Sequence, residues 1–299
     1  MTANAQGALG PGADAAAAPS LVDIVSADGA RSQARLFVPA EGAPRAVAVC
    51  LPAMGVEARY YDPFARALAA RGVAALTAEL RGNGSSSLRA ARRVDFGYRE
   101  LVELDLTGAV AAARERVPGP PVRLVGHSLG GHLSILFAAL RPREVDGIAL
   151  IAAGSPYFRA HSGRARAYVL LGALALRGLS AALGYLPGRA VGFGGREARR
   201  LIAEWARLGW TGRFAFAGAP PDLADRMAAA SLPVLALSFG EDRYAPAAAV
   251  DHMAGMLPGA ALTRRHTAPG ELGDGVDHFR WVRRPDGVAD IVVDWMMRG

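Results

Sequence analysis

A serine between small residues, in the run VRLVGHSLGGH, has the setting of an activated nucleophile. The branched run VRLV predicts a strand before Ser128, and LSILFAAL predicts a helix after it. A tight strand-to-helix turn strains the backbone of its central residue, and Gly126 and Gly130 tolerate such a turn because they lack side chains. The serine oxygen then projects above the carboxyl ends of the strands, where the amides of the helix N-terminus stabilise a developing oxyanion. We therefore predict that Ser128 is a nucleophile rather than a structural residue of a glycine turn.

The elements around this turn alternate between apolar strands and amphipathic helices. Asp28-Gly29 lies between two strand-like runs and predicts a hairpin. Short apolar runs then alternate with helix-period segments: strands near 46–52, 73–80, 122–127 and 146–153, and helices near 61–69, 99–116 and 129–141. Strands follow again at 233–240 and 261–266, each before a helix. This alternation predicts an α/β fold with a mostly parallel central sheet and helices on both of its faces.

The strand rhythm is interrupted once, which predicts the domain organisation. Residues 155–230 contain helical segments, glycines and prolines but no convincing strand run. We interpret them as a helical insertion into one sheet domain, whose core is formed by residues 21–154 and 231–299. Residues 1–20 are predicted to be a flexible N-terminal leader, since they lack the basic and apolar regions of a signal peptide. We therefore expect a cytoplasmic protein.

The charge and cysteine content exclude several classes of partner. The net charge is +7 and all 34 basic residues are arginine, but they are scattered along the chain. The densest groups are short and contain no interleaved aromatic residues: Arg89, Arg92 and Arg93, and Arg196, Arg199 and Arg200. We therefore expect no nucleic-acid partner, because a phosphate-tracking surface concentrates its charge along one face. The single cysteine, Cys50, excludes an intrachain disulfide and a zinc site built on several cysteines, and no metal is predicted.

One long apolar stretch, residues 167–186, could be mistaken for a membrane span. Arg177 lies near its centre, and Gly172, Gly178 and Gly184 interrupt it. An arginine at the middle of a bilayer costs about 3 kcal/mol on translocon-insertion scales. We therefore expect no stable membrane span, and the sequence gives no indication of an oligomeric state.

From about residue 21 to the end, the chain resembles the α/β-hydrolase superfamily, in particular lipase-like, esterase-like and serine-aminopeptidase-like members with a helical cap. The resemblance implies that a catalytic acid and a histidine follow the serine in that order. The strand at 233–239 ends in Gly240-Glu241-Asp242, and Pro246 begins the next helix four positions after Asp242. This matches the acid turn of the family, so Asp242 is the expected acid, with Glu241 as the alternative.

The same resemblance implies a histidine base shortly before the final helix. His278 is followed by Phe279, as the base of the family is followed by an aromatic residue, and His266 at the end of the last strand is the alternative. The imidazole would remove the Ser128 proton and later protonate the leaving group, while Asp242 would orient the ring and stabilise the imidazolium.

The family also implies an oxyanion hole made of two backbone amides. One is that of Leu129, the residue after the nucleophile. The other comes from the loop after the strand at 46–51, where members usually carry His-Gly-x. Here Pro52-Ala53 replaces His-Gly, so the aligned donor is Met54.

The insertion corresponds to the cap of such enzymes. Its aliphatic helices, with Trp205, Trp210, Phe214 and Phe216, would form an apolar pocket for an acyl or aromatic group. The alternative for each of these aromatic residues, taken singly, is that it only packs the cap on the core. The resemblance implies a cofactor-independent serine hydrolase that cleaves a carboxylic ester of a small, apolar acyl substrate. Acyl transfer, thioester hydrolysis and N-terminal amide cleavage on the same three residues are alternatives, and a non-catalytic binding protein on this scaffold is a further one.

Overall fold

The computed structural model describes residues 18–298, so most of the predicted leader, residues 1–20, lies outside the described residues. The first strand begins at Ser20, inside the predicted leader. Within the described residues, ten strands are present: β1 (Ser20–Val25), β2 (Arg31–Phe37), β3 (Ala46–Leu51), β4 (Val73–Thr77), β5 (Val122–His127), β6 (Ile148–Ile151), β7 (Tyr185–Pro187), β8 (Arg196–Ala198), β9 (Pro233–Phe239) and β10 (Ala261–Thr267).

Eight of these strands form one sheet in the order β1-β2-β4-β3-β5-β6-β9-β10. The β1–β2 and β2–β4 pairs are antiparallel, and all other neighbours are parallel. Every residue of β3, β4, β5 and β6 is buried, which explains why their sequences are continuous apolar runs instead of alternating ones. The prediction of a mostly parallel, doubly covered sheet is confirmed.

The helices occupy the segments where the sequence pattern predicts them. In chain order they are α1 (Asp62–Ala69), α2 (Tyr98–Glu100), α3 (Thr107–Arg116), α4 (Leu129–Leu140), α5 (Gly163–Leu183), α6 (Gly188–Val191), α7 (Arg199–Thr211), α8 (Leu223–Ala229), α9 (Ala247–Ala254) and α10 (Asp286–Arg298). A π-helical segment, Leu101–Leu106, joins α2 to α3, and single 3-10 turns lie at Ala58–Tyr61, Phe158–Ala160 and Arg280–Arg283.

The segment between β6 and β9 carries four helices, α5 to α8, and we call residues 155–230 the cap. The expectation that this segment contains no strand is wrong, because β7 and β8 pair as an antiparallel hairpin. Each strand has only three residues, which is too short for an alternating pattern to register in the sequence.

Helix α5 is exposed over most of its length and is apolar. Its exposed side chains include Tyr168, Leu171 and Leu174. It is the one described helix with the length and apolar composition of a membrane span, a property that core helices of soluble proteins and signal sequences share. Arg177, near its centre, lies over the ring of Trp210, with 5.1 Å between the guanidinium carbon and the ring centroid.

The parallel strands bring four loops to one edge of the sheet. The loops after β3, β5, β9 and β10 all leave carboxyl ends of mutually parallel strands. Open α/β sheets bind their ligands at this edge. Ser128, Asp242 and His278, which are far apart in sequence, all lie on these loops.

Candidate active site

Ser128 lies at the turn between β5 and α4 in a strained backbone conformation. Its φ is +51°, one of two positive values among the non-glycine residues described. Such a conformation costs about 1–3 kcal/mol and persists only where neighbouring structure enforces it. Here the Ser128 amide donates to the Ile151 carbonyl at 3.1 Å, and the Ser128 carbonyl accepts from the Gly131 amide at 2.9 Å.

The flanking glycines are required by close backbone approach. A Cβ at Gly126 would lie 2.3 Å from the carbonyl carbon of Gly130, and a Cβ at Gly130 would lie 2.4 Å from the carbonyl oxygen of Leu51. Real Cβ contacts are never that short. Any side chain at either position would therefore push α4 away from β5 or from β3, and the turn that holds Ser128 would open.

A continuous hydrogen-bond chain joins the serine to an aspartate. The Ser128 hydroxyl donates to His278 Nε2 at 3.1 Å, and His278 Nδ1–H donates to Asp242 Oδ2 at 2.8 Å. The other carboxylate oxygen, Oδ1, accepts from the amides of Tyr244 and Ala245, both at 2.8 Å. The Asp242 side chain is fully buried, so these three donors replace its hydration.

The sequence offers two candidates for the acid and two for the base, and the structure places one of each beside Ser128. Glu241 is exposed and has no hydrogen bond to either histidine. His266 lies on β10, where its Nδ1 contacts the Ser238 hydroxyl at 2.9 Å, and it has no bond to Ser128. The geometry thus selects Asp242 and His278, while their catalytic roles stay a prediction.

Two backbone amides beside Ser128 are free to bind an oxyanion. Leu129 is the first residue of α4, and first-turn amides have no acceptor within their helix. Among the described residues, no backbone acceptor binds the Met54 amide. Both residues line the same cavity as Ser128. Pre-oriented amides of this kind stabilise the charge that develops on a carbonyl oxygen during acyl transfer.

A buried tyrosine connects the Met54 loop with the nucleophile turn. The Tyr61 hydroxyl accepts the Ala53 amide at 2.9 Å and donates to His127 Nδ1 at 2.7 Å. Burial holds the pKa of His127 well below its usual value, so this ring stays neutral beside His278. The Ala53 amide is therefore engaged, whereas the next amide, that of Met54, has no competing acceptor among the described residues.

The cap contacts the same loop through glycine backbone. A Cβ at Gly55, whose φ is +72°, would lie 2.0 Å from the Gly195 amide nitrogen. The turn of the β7–β8 hairpin therefore rests directly on the residue after Met54. The glycine run in VGFGG is the sequence signal for such an approach, whereas nothing in the spacing of Tyr61 distinguishes it from a core residue.

An apolar cavity of about 410 Å³ lies between Ser128 and the cap. The cap contributes Tyr168, Val169, Leu176, Phe193 and Trp205 to its lining. His132 also lines it, and burial lowers the pKa of this histidine to about 4, which keeps its ring neutral. The cavity therefore offers an apolar surface that ends at a polar, hydrogen-bonded serine.

Only one of the four aromatic residues predicted to form this pocket lines it. Trp205 does, but Trp210, Phe214 and Phe216 line a separate cavity. Phe214 packs edge-on against Tyr98, with 5.6 Å between the ring centroids. Phe216 also packs against Tyr98, so these two phenylalanines hold the cap against the core, whereas Trp210 packs under Arg177 within the cap.

Comparisons with known proteins agree with this architecture. A family model described as Serine aminopeptidase, S33 matches residues 42–184. Human monoglyceride lipase is 31% identical over 156 residues, which cover 52% of this chain and 49% of that protein. The rat monoglyceride lipase is 33% identical over 131 residues, 44% of this chain and 42% of that protein.

Solved structures match over nearly the whole chain. A lipase in an open form superimposes with a TM-score of 0.63 at 18% identity, covering 94% of this chain and 99% of that one. The esterase domain of a Rhodothermus marinus protein gives a TM-score of 0.57 at 19% identity, covering 94% and 98%.

The chain has the α/β-hydrolase fold, and the family model and the monoglyceride lipases support its place in the α/β-hydrolase superfamily. The chain spans about half the length of the curated relatives it matches. The family model covers β3 to β6 and the whole of α5, and therefore includes Met54, Ser128 and Leu129. Asp242 and His278 lie beyond its last matched residue, so their assignment rests on the hydrogen-bond chain itself.

Proposed function

We propose that this α/β-hydrolase is a serine hydrolase that cleaves carboxylic esters of lipid-like acyl groups through an acyl-enzyme on Ser128. One observation carries the proposal: the Ser128–His278–Asp242 hydrogen-bond chain opens into an apolar cavity of about 410 Å³. The chain supplies an activated nucleophile, and the cavity supplies room for an apolar acyl group.

The residues act in a definite order. His278 Nε2 takes the Ser128 proton as Oγ attacks the ester carbonyl, and the amides of Met54 and Leu129 bind the oxyanion of the tetrahedral intermediate. The imidazolium, stabilised by Asp242, then protonates the departing alkoxide. A water molecule, deprotonated by His278, attacks the acyl-enzyme in the same manner and releases the carboxylic acid.

The lining of the cavity favours an ester over the N-terminus of a peptide. Of the described residues that line it, none is aspartate or glutamate, and Arg243 is its one permanently charged side chain. An aminopeptidase needs a carboxylate to bind the ammonium group of its substrate, because burying an unpaired charge is costly. Thioester hydrolysis and acyl transfer use the same attack, and the test below includes a thioester to distinguish the first of them from ester hydrolysis.

The test is a chain-length series of p-nitrophenyl esters, with a matched thioester, a monoacylglycerol and an amino-acid p-nitroanilide. We expect kcat/KM to rise with acyl length by up to about fourfold per methylene until the cavity is full, since each buried methylene contributes about 0.8 kcal/mol. Ser128→Ala, with an unchanged circular dichroism spectrum, should lose the activity. Preference for the anilide, or no turnover of any ester by folded protein, would contradict the proposal.

A further inference from the structure

Two arginine-rich segments that are distant in sequence lie side by side. Arg196 Nε donates to the Ala90 carbonyl at 2.5 Å, across a separation of 106 residues. A Cβ at Gly184 would lie 2.9 Å from the Cα of Arg92. The loop after β4 and the β7–β8 hairpin therefore form one basic surface, although each segment by itself carries only a short group of arginines.

A pocket of about 460 Å³ lies between these two segments. Arg89, Arg189 and Arg196 line it, together with Asn83 and Glu57. Its volume is in the range of small-molecule sites, which is about 300–1,000 Å³. It is separate from the acyl cavity, because the two share no lining residue.

Among the described residues, the three arginines of this pocket, Arg89, Arg189 and Arg196, lack a carboxylate ion-pair partner. Arg89 nevertheless donates its terminal nitrogens to backbone carbonyls of its own loop, those of Gly84, Ser86 and Leu88. The one acidic residue of the lining, Glu57, pairs with Arg59 at 2.7 Å. Three guanidinium groups around one pocket repel each other, so an anion that enters the pocket gains from the positive charge of each of them.

Arg196 is held in place without using its terminal nitrogens. Its guanidinium carbon lies 4.1 Å from the centroid of the Tyr185 ring, and its Nε is engaged by the Ala90 carbonyl. Within the described residues, both of its terminal NH₂ groups lack a hydrogen-bond partner. A planar, fixed guanidinium of this kind matches the geometry of a phosphate group, which accepts two parallel hydrogen bonds.

We infer that this pocket binds a phosphomonoester group. Three guanidinium groups suit a dianion better than a monoanionic carboxylate, and Arg189, which has no side-chain partner among the described residues, is available to close on it. The site goes beyond the proposed esterase activity, and it lies across the hairpin turn from Ser128. Gly195 lines this pocket, whereas Gly194 lines the acyl cavity.

The test measures binding of inorganic phosphate and glycerol 3-phosphate to the full chain by calorimetry and by the shift in Tm. Glycerol and sodium chloride at matched ionic strength are the controls. We expect saturable binding that Arg196→Gln and Arg189→Gln each weaken at least tenfold. Arg143→Gln, which changes an exposed arginine outside the pocket with no ion pair described, should leave the affinity unchanged.

Two further arms distinguish the source of the phosphate. Vesicles of phosphatidylcholine with phosphatidic acid should bind the protein, in competition with glycerol 3-phosphate, if the group belongs to a lipid. If the phosphate group belongs to a free metabolite, glycerol 3-phosphate should bind and the vesicles should not. Because Arg189 is exposed and unpartnered, Arg189→Gln has no reason to unfold the protein. Absence of saturable binding in both arms, or equal binding by wild type and both pocket variants, would overturn the inference, whatever the esterase assays show.

Discussion

Replacing Tyr61 with phenylalanine removes one oxygen atom from the bridge between the oxyanion loop and the nucleophile turn. The ring of Tyr61 is 2% exposed, so water does not replace the hydroxyl. The change leaves the Ala53 amide without its acceptor and His127 Nδ1 without its donor. Unlike a truncation, it keeps the packing of the ring against its aromatic neighbours.

The size of the effect follows from these two groups. A buried polar group left without a partner costs about 1–3 kcal/mol, and His127 recovers part of its share by changing tautomer. We therefore expect a loss of about 2–4 kcal/mol in the free energy of unfolding. Without the contact from Tyr61, the Ala53–Met54 peptide group, which carries the Met54 amide, is also free to move. Complete loss of one oxyanion donor lowers kcat by about 10²–10³-fold. Partial displacement should lower kcat by about 10–100-fold with little change in KM.

The assay compares Tyr61→Phe with Tyr98→Phe by urea unfolding and by steady-state hydrolysis of one p-nitrophenyl ester. Tyr98 is equally buried, and its hydroxyl also contacts a histidine, His132 Nδ1 at 3.1 Å, but it does not touch the Met54 loop. We expect both variants to lose stability and only Tyr61→Phe to lose kcat. A kcat for Tyr61→Phe within twofold of wild type, despite the expected loss of stability, would refute the role of this bridge in placing the Met54 amide.

Three further predictions concern a buried glutamate, the buried Arg81–Asp105 ion pair and the acyl cavity. Burial raises the pKa of Glu79 from 4.5 to about 7, so the folded protein retains a proton that the unfolded chain releases, and stability falls as the pH rises between these values. Glu79→Gln should therefore gain about 2–3 kcal/mol relative to wild type between pH 5 and pH 8 in urea titrations, and parallel pH profiles of the two proteins would count against it. Asp105→Asn leaves the buried Arg81 guanidinium, 2.7 Å from this carboxylate, incompletely paired, and should cost about 3 kcal/mol of unfolding free energy; a cost below about 1 kcal/mol would contradict this. Gly172→Leu places a side chain in open space in the acyl cavity and should lower kcat/KM for long acyl esters but not for acetate, whereas Gly178→Leu, on the same helix outside the cavity, should change neither.

The sheet could be predicted from the sequence because its strands are buried on both faces. Runs such as AVAVCL and VRLVGH have no alternation to misread, and the helices between them show their period clearly. The turn at Ser128 was also visible locally, since the strand, the glycines and the helix are contiguous. These features depend on neighbouring residues, which a sequence displays directly.

Features that depend on contacts across the fold were not visible. The sequence indicates Asp242 and His278 only through a family resemblance, because the residues alone do not reveal which carboxylate reaches which imidazole. Trp210, Phe214 and Phe216 do not line the acyl pocket. The sequence leaves pocket and packing open for each of them, because an aromatic residue of the cap can face either the cavity or the core. The strands β7 and β8 were missed for their shortness, and the Tyr61 bridge because one hydroxyl in a core tyrosine leaves no pattern.

The central claim is that Ser128 is the nucleophile and that His278 activates it. Its most direct test is intact-protein mass spectrometry after treatment with a fluorophosphonate at neutral pH. We expect a single adduct, located by peptide mapping on Ser128, with no labelling of Ser128→Ala and labelling of His278→Ala slowed at least a hundredfold. An unlabelled wild-type protein that is folded, or an adduct on any residue other than Ser128, would contradict the account.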